Sequence, residues 1–229
     1  MLQPKKRITK KEMKEDALIT TYVKATTFYE ENKKTISMGM TALLVIVAAV
    51  FIYSKTRSAD NEKAGTELAK VYSFYDNGQY QIAIDGVRER NIVGLAAIVN
   101  DYGGSQPGNM AKLYLGDCYY NLGKFSDALK QYEDFSPNGQ LLTVTRYSGM
   151  ASCYEALKNY KEAAESFEKA ATKYPDDVSA AENLNNAARN YAASGQKQEA
   201  LELYKKIKKN YPTTTFAREA DRYIAKLSV

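Results

Sequence analysis

The chain has 229 residues, a hydrophobic fraction of 45%, 13 glycines, 5 prolines and no histidine. This composition supports a packed core, excludes a collagenous or wholly disordered chain, and removes the commonest general base and metal ligand. The formal charge of +5 is unevenly placed: residues 1–35 hold nine Lys/Arg against five Asp/Glu, whereas from Ser58 onward 21 bases meet 22 acids. No surplus of bases is left there to neutralise a nucleic-acid backbone. Helix formers dominate and β-branched alternation is rare, so an all-α chain is expected.

Residues 1–35 form the first segment. Within it Leu18, Tyr22, Ala25 and Tyr29 stand at helical spacing, with Ile19 and Val23 beside them and Asp16 able to cap. Two readings fit: a short amphipathic helix on the cytosolic membrane face or against a partner there, and a tail that only helps to set topology. Residues 36–53, ISMGMTALLVIVAAVFIY, follow without a single charge between Lys33-Lys34 and Lys55. At about 1.5 Å per residue this run covers about 27 Å, close to the hydrocarbon thickness of a bilayer. Every face is apolar or small, unlike a surface helix with a polar stripe, so a membrane crossing is predicted rather than a core helix. The long basic lead, the absence of an A-x-A site in SKTRSAD and the lack of a following cysteine argue against a cleaved signal or a lipoprotein anchor. The excess of bases before the run places the N-terminus in the cytosol and residues 54–229 on the far side.

From residue 61 the pattern becomes a repeat. Ala151, Tyr154, Ala163, Phe167, Ala170 and Pro175 recur with the same offsets as Ala188, Tyr191, Ala200, Tyr204, Ile207 and Pro212. Gly116, Tyr119, Ala128, Tyr132 and Phe135 match the first five positions. Two antiparallel helices approach closely only at small side chains, so Gly116, Ala151 and Ala188 are expected to face Ala128, Ala163 and Ala200. Tyr119, Tyr154 and Tyr191 fill the wedge beside each crossing, and Pro175 and Pro212 end the second helices. Repeats are expected at about residues 109–142, 144–177 and 181–214. A degenerate unit at 61–87 precedes them, its first helix running from about Asn61 to Asp76. An extra apolar helix is expected at 88–102, followed by a flexible loop over residues 103–109. A capping helix at 215–228 presents Phe216, Ala220, Tyr223, Ile224 and Leu227.

These positions resemble the tetratricopeptide repeat, a helix–turn–helix unit of about 34 residues that stacks into a solenoid. Cys118 and Cys153 occupy the same place in consecutive units, which puts them about 8–10 Å apart, too far for a disulfide, and predicts small buried fillers rather than a redox pair. Offsets on the first helices assign to the concave face Tyr72 and Tyr75, then Asp117, Tyr120 and Asn121, then Ser152 and Glu155, then Asn185 and Arg189. That polar, mixed set suits an extended peptide or a partner helix.

The whole architecture, with TFYEENKKTI before the span and ELYKKIKKNYPTTTFAREADRYIAKLSV at the end, resembles the YfgM-type family of bacterial inner-membrane proteins. The resemblance implies an ancillary subunit of the Sec translocon, with the groove toward a periplasmic chaperone or an emerging polypeptide and the span toward the channel. The longer basic lead and the insert at 88–102 depart from that pattern. A scaffold for cell-division or envelope-assembly proteins is the second expectation. An enzyme is disfavoured: there is no Cys-His pair, phosphate loop or acid cluster outside repeat surfaces, so no catalytic residue, cofactor, metal or small-molecule substrate is predicted.

Overall fold

A computed structural model describes the backbone from Lys10 to Leu227 and the side chains from Ile19 onward. Asp16 and Leu18, assigned above to capping and to the amphipathic face, have side chains outside the described residues, as does most of the basic lead. Helix α1 runs from Lys10 to Asp76, and the chain divides into two units between Arg57 and Ser58.

In the first unit the apolar run lies on α1 and is covered by nothing: Leu44 is 64% exposed and Phe51 69%. This is the one helix among the described residues long and apolar enough to cross a membrane. The outer positions before it, Ile19, Tyr22, Val23 and Tyr29, are helical and exposed.

The second unit is a chain of antiparallel helices. After the end of α1 come α2 (Tyr80–Asp85), a minimal hairpin of β1 (Gly86–Val87) and β2 (Ile92–Val93), and α3 (Leu95–Tyr102). Then follow α4 (Gln106–Asn121), α5 (Phe125–Asp134), α6 (Gln140–Ala156), α7 (Tyr160–Lys173), α8 (Ala180–Ala193), α9 (Lys197–Asn210) and α10 (Thr215–Leu227). From α4 to α10 each helix packs on its successor, as a solenoid requires. The core is correspondingly a row of local clusters. Val71, Ile84, Leu95, Ile98 and Leu115 form the first, Leu113, Ala128, Tyr132 and Phe135 the second, and Phe167, Leu184, Tyr204 and Ile207 anchor the third.

Each turn inside a hairpin has one solution. The residue after the last turn of the first helix takes a positive φ, and its amide and the next bond back to carbonyls of the helix end. Gly123 and Lys124 donate to Tyr120 and Tyr119, and Gly195 and Gln196 to Ala192 and Tyr191. Glycine adopts this left-handed backbone without steric cost. In the α6–α7 turn the same place is held by Lys158, at φ 63°. The second helices α7 and α9 end at Lys173 and Asn210, immediately before Tyr-Pro, and the Tyr211 hydroxyl donates to the Pro175 carbonyl at 2.8 Å, tying one unit's end to the next.

Two stretches differ from expectation. The insert at 88–102 is not one helix: Arg88–Arg90 form a 3-10 turn between β1 and β2, and α3 begins only at Leu95. Gly86 and Gly94 bracket the hairpin where backbones meet so closely that a Cβ on Gly94 would stand 2.2 Å from the Ile84 carbonyl oxygen. Nor is 103–109 a loop throughout. The Ser105 hydroxyl accepts from the Gly108 amide at 3.0 Å and Pro107 sits in the first turn, so α4 starts at Gln106. The capping helix α10 lies at Thr215–Leu227, with Tyr223 stacked on Tyr204 at 5.0 Å between ring centroids and Ala220 fully buried.

Candidate interaction groove

The first helices of successive hairpins, α4, α6 and α8, line a cavity of about 450 Å³. Asp117 contributes from α4, Ser148, Gly149 and Ser152 from α6, and Glu182, Asn183 and Asn186 from α8, with Asp177 on the loop before it. Its walls carry acids, amides and hydroxyls beside the apolar Leu141, Val144, Phe167 and Val178.

Asp117 is the best-anchored of these groups. Its Oδ1 accepts from the Tyr132 hydroxyl at 2.6 Å and its Oδ2 from the Tyr75 hydroxyl at 2.8 Å, so α1, α4 and α5 meet on one carboxylate. Burial raises its pKa above the ordinary carboxylate value, and the two tyrosine hydrogen bonds act in the opposite direction by holding the charged form. Both tyrosines are in turn pushed up, first by burial and then by the adjacent carboxylate.

The Tyr132 ring explains two glycines. A Cβ on Gly116 would stand 3.0 Å from its Cε1, and one on Gly149 only 2.8 Å from its Cζ. At Gly116 the small residue makes room for the Tyr132 ring. Cys118 and Cys153 are free and fully buried, in different clusters, and burial pushes both thiols up to about 12.

Six of the nine residues assigned to the concave face from sequence fall into three pairs. Tyr72 and Tyr75 join Tyr114 in a mutually tilted aromatic group with centroids 4.8–5.6 Å apart, beside Asp117. Asp117 and Ser152 share the cavity. Glu155 and Arg189 form an ion pair at 2.5 Å, and Asn190 Nδ2 donates to the other Glu155 oxygen at 3.0 Å. The remaining three belong to no pair, and of all nine only Asp117 and Ser152 line the cavity. Tyr120 packs edge-on against Phe125 at 5.4 Å, Asn121 donates to the Asp117 carbonyl at 2.8 Å, and Asn185 is only 8% exposed.

The cavity also uses residues the repeat spacing did not single out. The Ser148 hydroxyl donates to Asn183 Oδ1 at 2.9 Å, and Asn183 Nδ2 donates to the Ser179 hydroxyl at 3.1 Å. Asp177 accepts from the Ser179 hydroxyl at 2.6 Å and from its amide at 2.9 Å, bonds that hold its pKa below the ordinary value. One signal was available: α8 carries Asn183, Asn185, Asn186 and Asn190, and asparagine is a poor interior helix residue unless its side chain has other work.

Models of the tetratricopeptide repeat match residues 68–138 and 141–212. Crystal structures of a putative kinesin light chain with nearly identical TPR-like repeats from Podosopora anserina, in two sequence forms, share the fold at a TM-score of 0.53 and 17% identity. They cover 73% of this chain, which in turn covers 86% and 85% of theirs. No curated protein matches the chain. The helical hairpins from Leu68 to Pro212 belong to the tetratricopeptide repeat family.

Proposed function

We propose that the chain is a membrane-tethered, non-enzymatic scaffold that binds protein partners in the groove along α4, α6 and α8. The observation carrying this reading is the cavity shared by three successive first helices, in a chain that also carries an exposed, charge-free apolar run on α1. In this reading residues 36–53 cross the bacterial inner membrane once, residues 1–35 stay in the cytosol and the repeat domain, 54–229, works in the periplasm. Tethering supplies the affinity: one span raises the local concentration of the groove beside its partner, so weak polar contacts suffice.

The finer reading is an ancillary subunit of the Sec translocon, acting beside a periplasmic chaperone on emerging polypeptides. It rests on the likeness of the whole architecture to the YfgM-type family. Purifying the full chain in mild detergent and identifying co-purified proteins tests it. Channel subunits or a periplasmic chaperone are expected. Division or envelope-assembly proteins without any Sec component would overturn it in favour of that other scaffold.

A further inference from the structure

Helix α8 carries two pockets of opposite charge. Its N-terminal half, through Glu182, Asn183 and Asn186, lines the cavity that also holds Asp117 and Asp177, and no base lines that cavity. Its C-terminal half, through Arg189, Ala192 and Ala193, lines a second pocket of about 370 Å³ closed by Tyr204, Tyr223, Lys226 and Leu227, and no acid lines that one. Arg189 is oriented by its ion pair with Glu155, whereas Lys226 has no ion-pair partner among the described residues. The floor between these cations is the apolar surface of Ala192, Leu227 and the stacked tyrosines.

One buried residue stands between the pockets. Asn185 stands on the stripe 182, 185, 189, 192 of α8, between them, at helical spacing. It is more than nine-tenths buried, and its Oδ1 lacks a hydrogen-bond partner among the described residues. Asn185 lines neither pocket and is part of the helix surface that separates them.

We infer that the groove binds an extended peptide of dipolar chemistry: a Lys or Arg side chain in the acid-lined cavity, and an apolar residue with a carboxylate in the Arg189–Lys226 pocket. The two sets of lining residues are offset by about 10 Å along α8, at a rise of about 1.5 Å per residue. An extended chain covers that distance in about three residues. The carboxylate can come from an acidic side chain or from a chain end. This assignment rests on the groove reading above and specifies the ligand for it.

The test uses the full chain in mild-detergent micelles and fluorescent ten-residue peptides of serine and glycine. One carries lysine and, three positions later, adjacent leucine and aspartate, with an amidated end. A second ends in leucine with a free carboxylate in place of aspartate. At least one should bind about tenfold tighter than its analogues with glutamine for lysine or without the carboxylate, the stronger of the two identifying the carboxylate source. Glu182→Lys and Lys226→Glu, both at exposed positions, should each cost about tenfold. The double variant should lose the preference for the charged peptide over its uncharged analogues. Equal affinity for charged and uncharged peptides, competing for one site, would overturn the dipolar assignment and leave the groove reading intact. Absence of binding by every peptide, with a partner captured on another face, would overturn both.

Discussion

Tyr132 shows how one side chain organises three helices. Its ring lies between the bare backbones of Gly116 and Gly149, and its hydroxyl reaches Asp117. Gly149→Ala should cost about 1–3 kcal/mol in urea unfolding, because the ring has to move to admit a Cβ. Tyr132→Phe keeps the packing and removes a donor to a carboxylate, for a loss of about 1.5–3 kcal/mol at neutral pH. The pH dependence fixes the cause. A carboxyl whose folded pKa is raised binds protons more readily folded than unfolded, so its contribution favours folding at low pH and is lost as pH rises through the folded pKa. Removing both tyrosine hydroxyls should push that window upward, and Asp117→Asn should abolish it; a urea-midpoint series across acidic and neutral pH reads both. The buried thiols give a second check: Cys118 and Cys153, both held well above neutral pH, should resist alkylation until the protein unfolds. The small positions at 116, 151 and 188 were legible in the sequence because their spacing repeats. The Gly149–Tyr132 contact was not, because it joins successive units and obeys no period within one.

Among elements, the turns separate what repetition encodes from what it does not. Glycine holds the left-handed position in the α4–α5 and α8–α9 turns, and Lys158 holds it between α6 and α7. A non-glycine residue pays about 1–2 kcal/mol for that backbone, so Lys158→Gly should stabilise the domain by about 1 kcal/mol, measured by thermal or urea unfolding. The cap is the opposite case. Tyr223 covers Tyr204 and closes the core of the last unit, and Tyr223→Ala should destabilise by about 2–4 kcal/mol. The Tyr-Pro stops and the amphipathic cap were readable because proline chemistry and a helical apolar stripe are local signals. The hairpin at residues 86–93 was hidden, since its strands are two residues each and depend on close backbone approach at Gly86 and Gly94. The start of α4 was missed for a different reason: Gly103, Gly104, Pro107 and Gly108 read as loop, although Ser105 and Pro107 are a helix beginning.

At the scale of the whole molecule, function depends on which surfaces stay uncovered. The apolar run on α1 is uncovered, and the cavity along α4, α6 and α8 presents acids, amides and hydroxyls beside apolar side chains. Protease added to intact spheroplasts should remove the repeat domain while sparing residues before the span; protection of the domain would reverse the proposed orientation. The family fold could be read from repeated small and aromatic positions, but the cavity could only be read in part, because Ser148, Ser179, Asn183 and Asn186 in its lining lie outside the repeat pattern. The central claim is that partners bind in this groove. Photo-crosslinking in cells from Ser152 and Arg189, compared with exposed Lys169 on α7, tests it most directly. The account predicts a shared crosslinked protein from the two groove positions and none from Lys169, whereas a partner captured from Lys169 alone would contradict it.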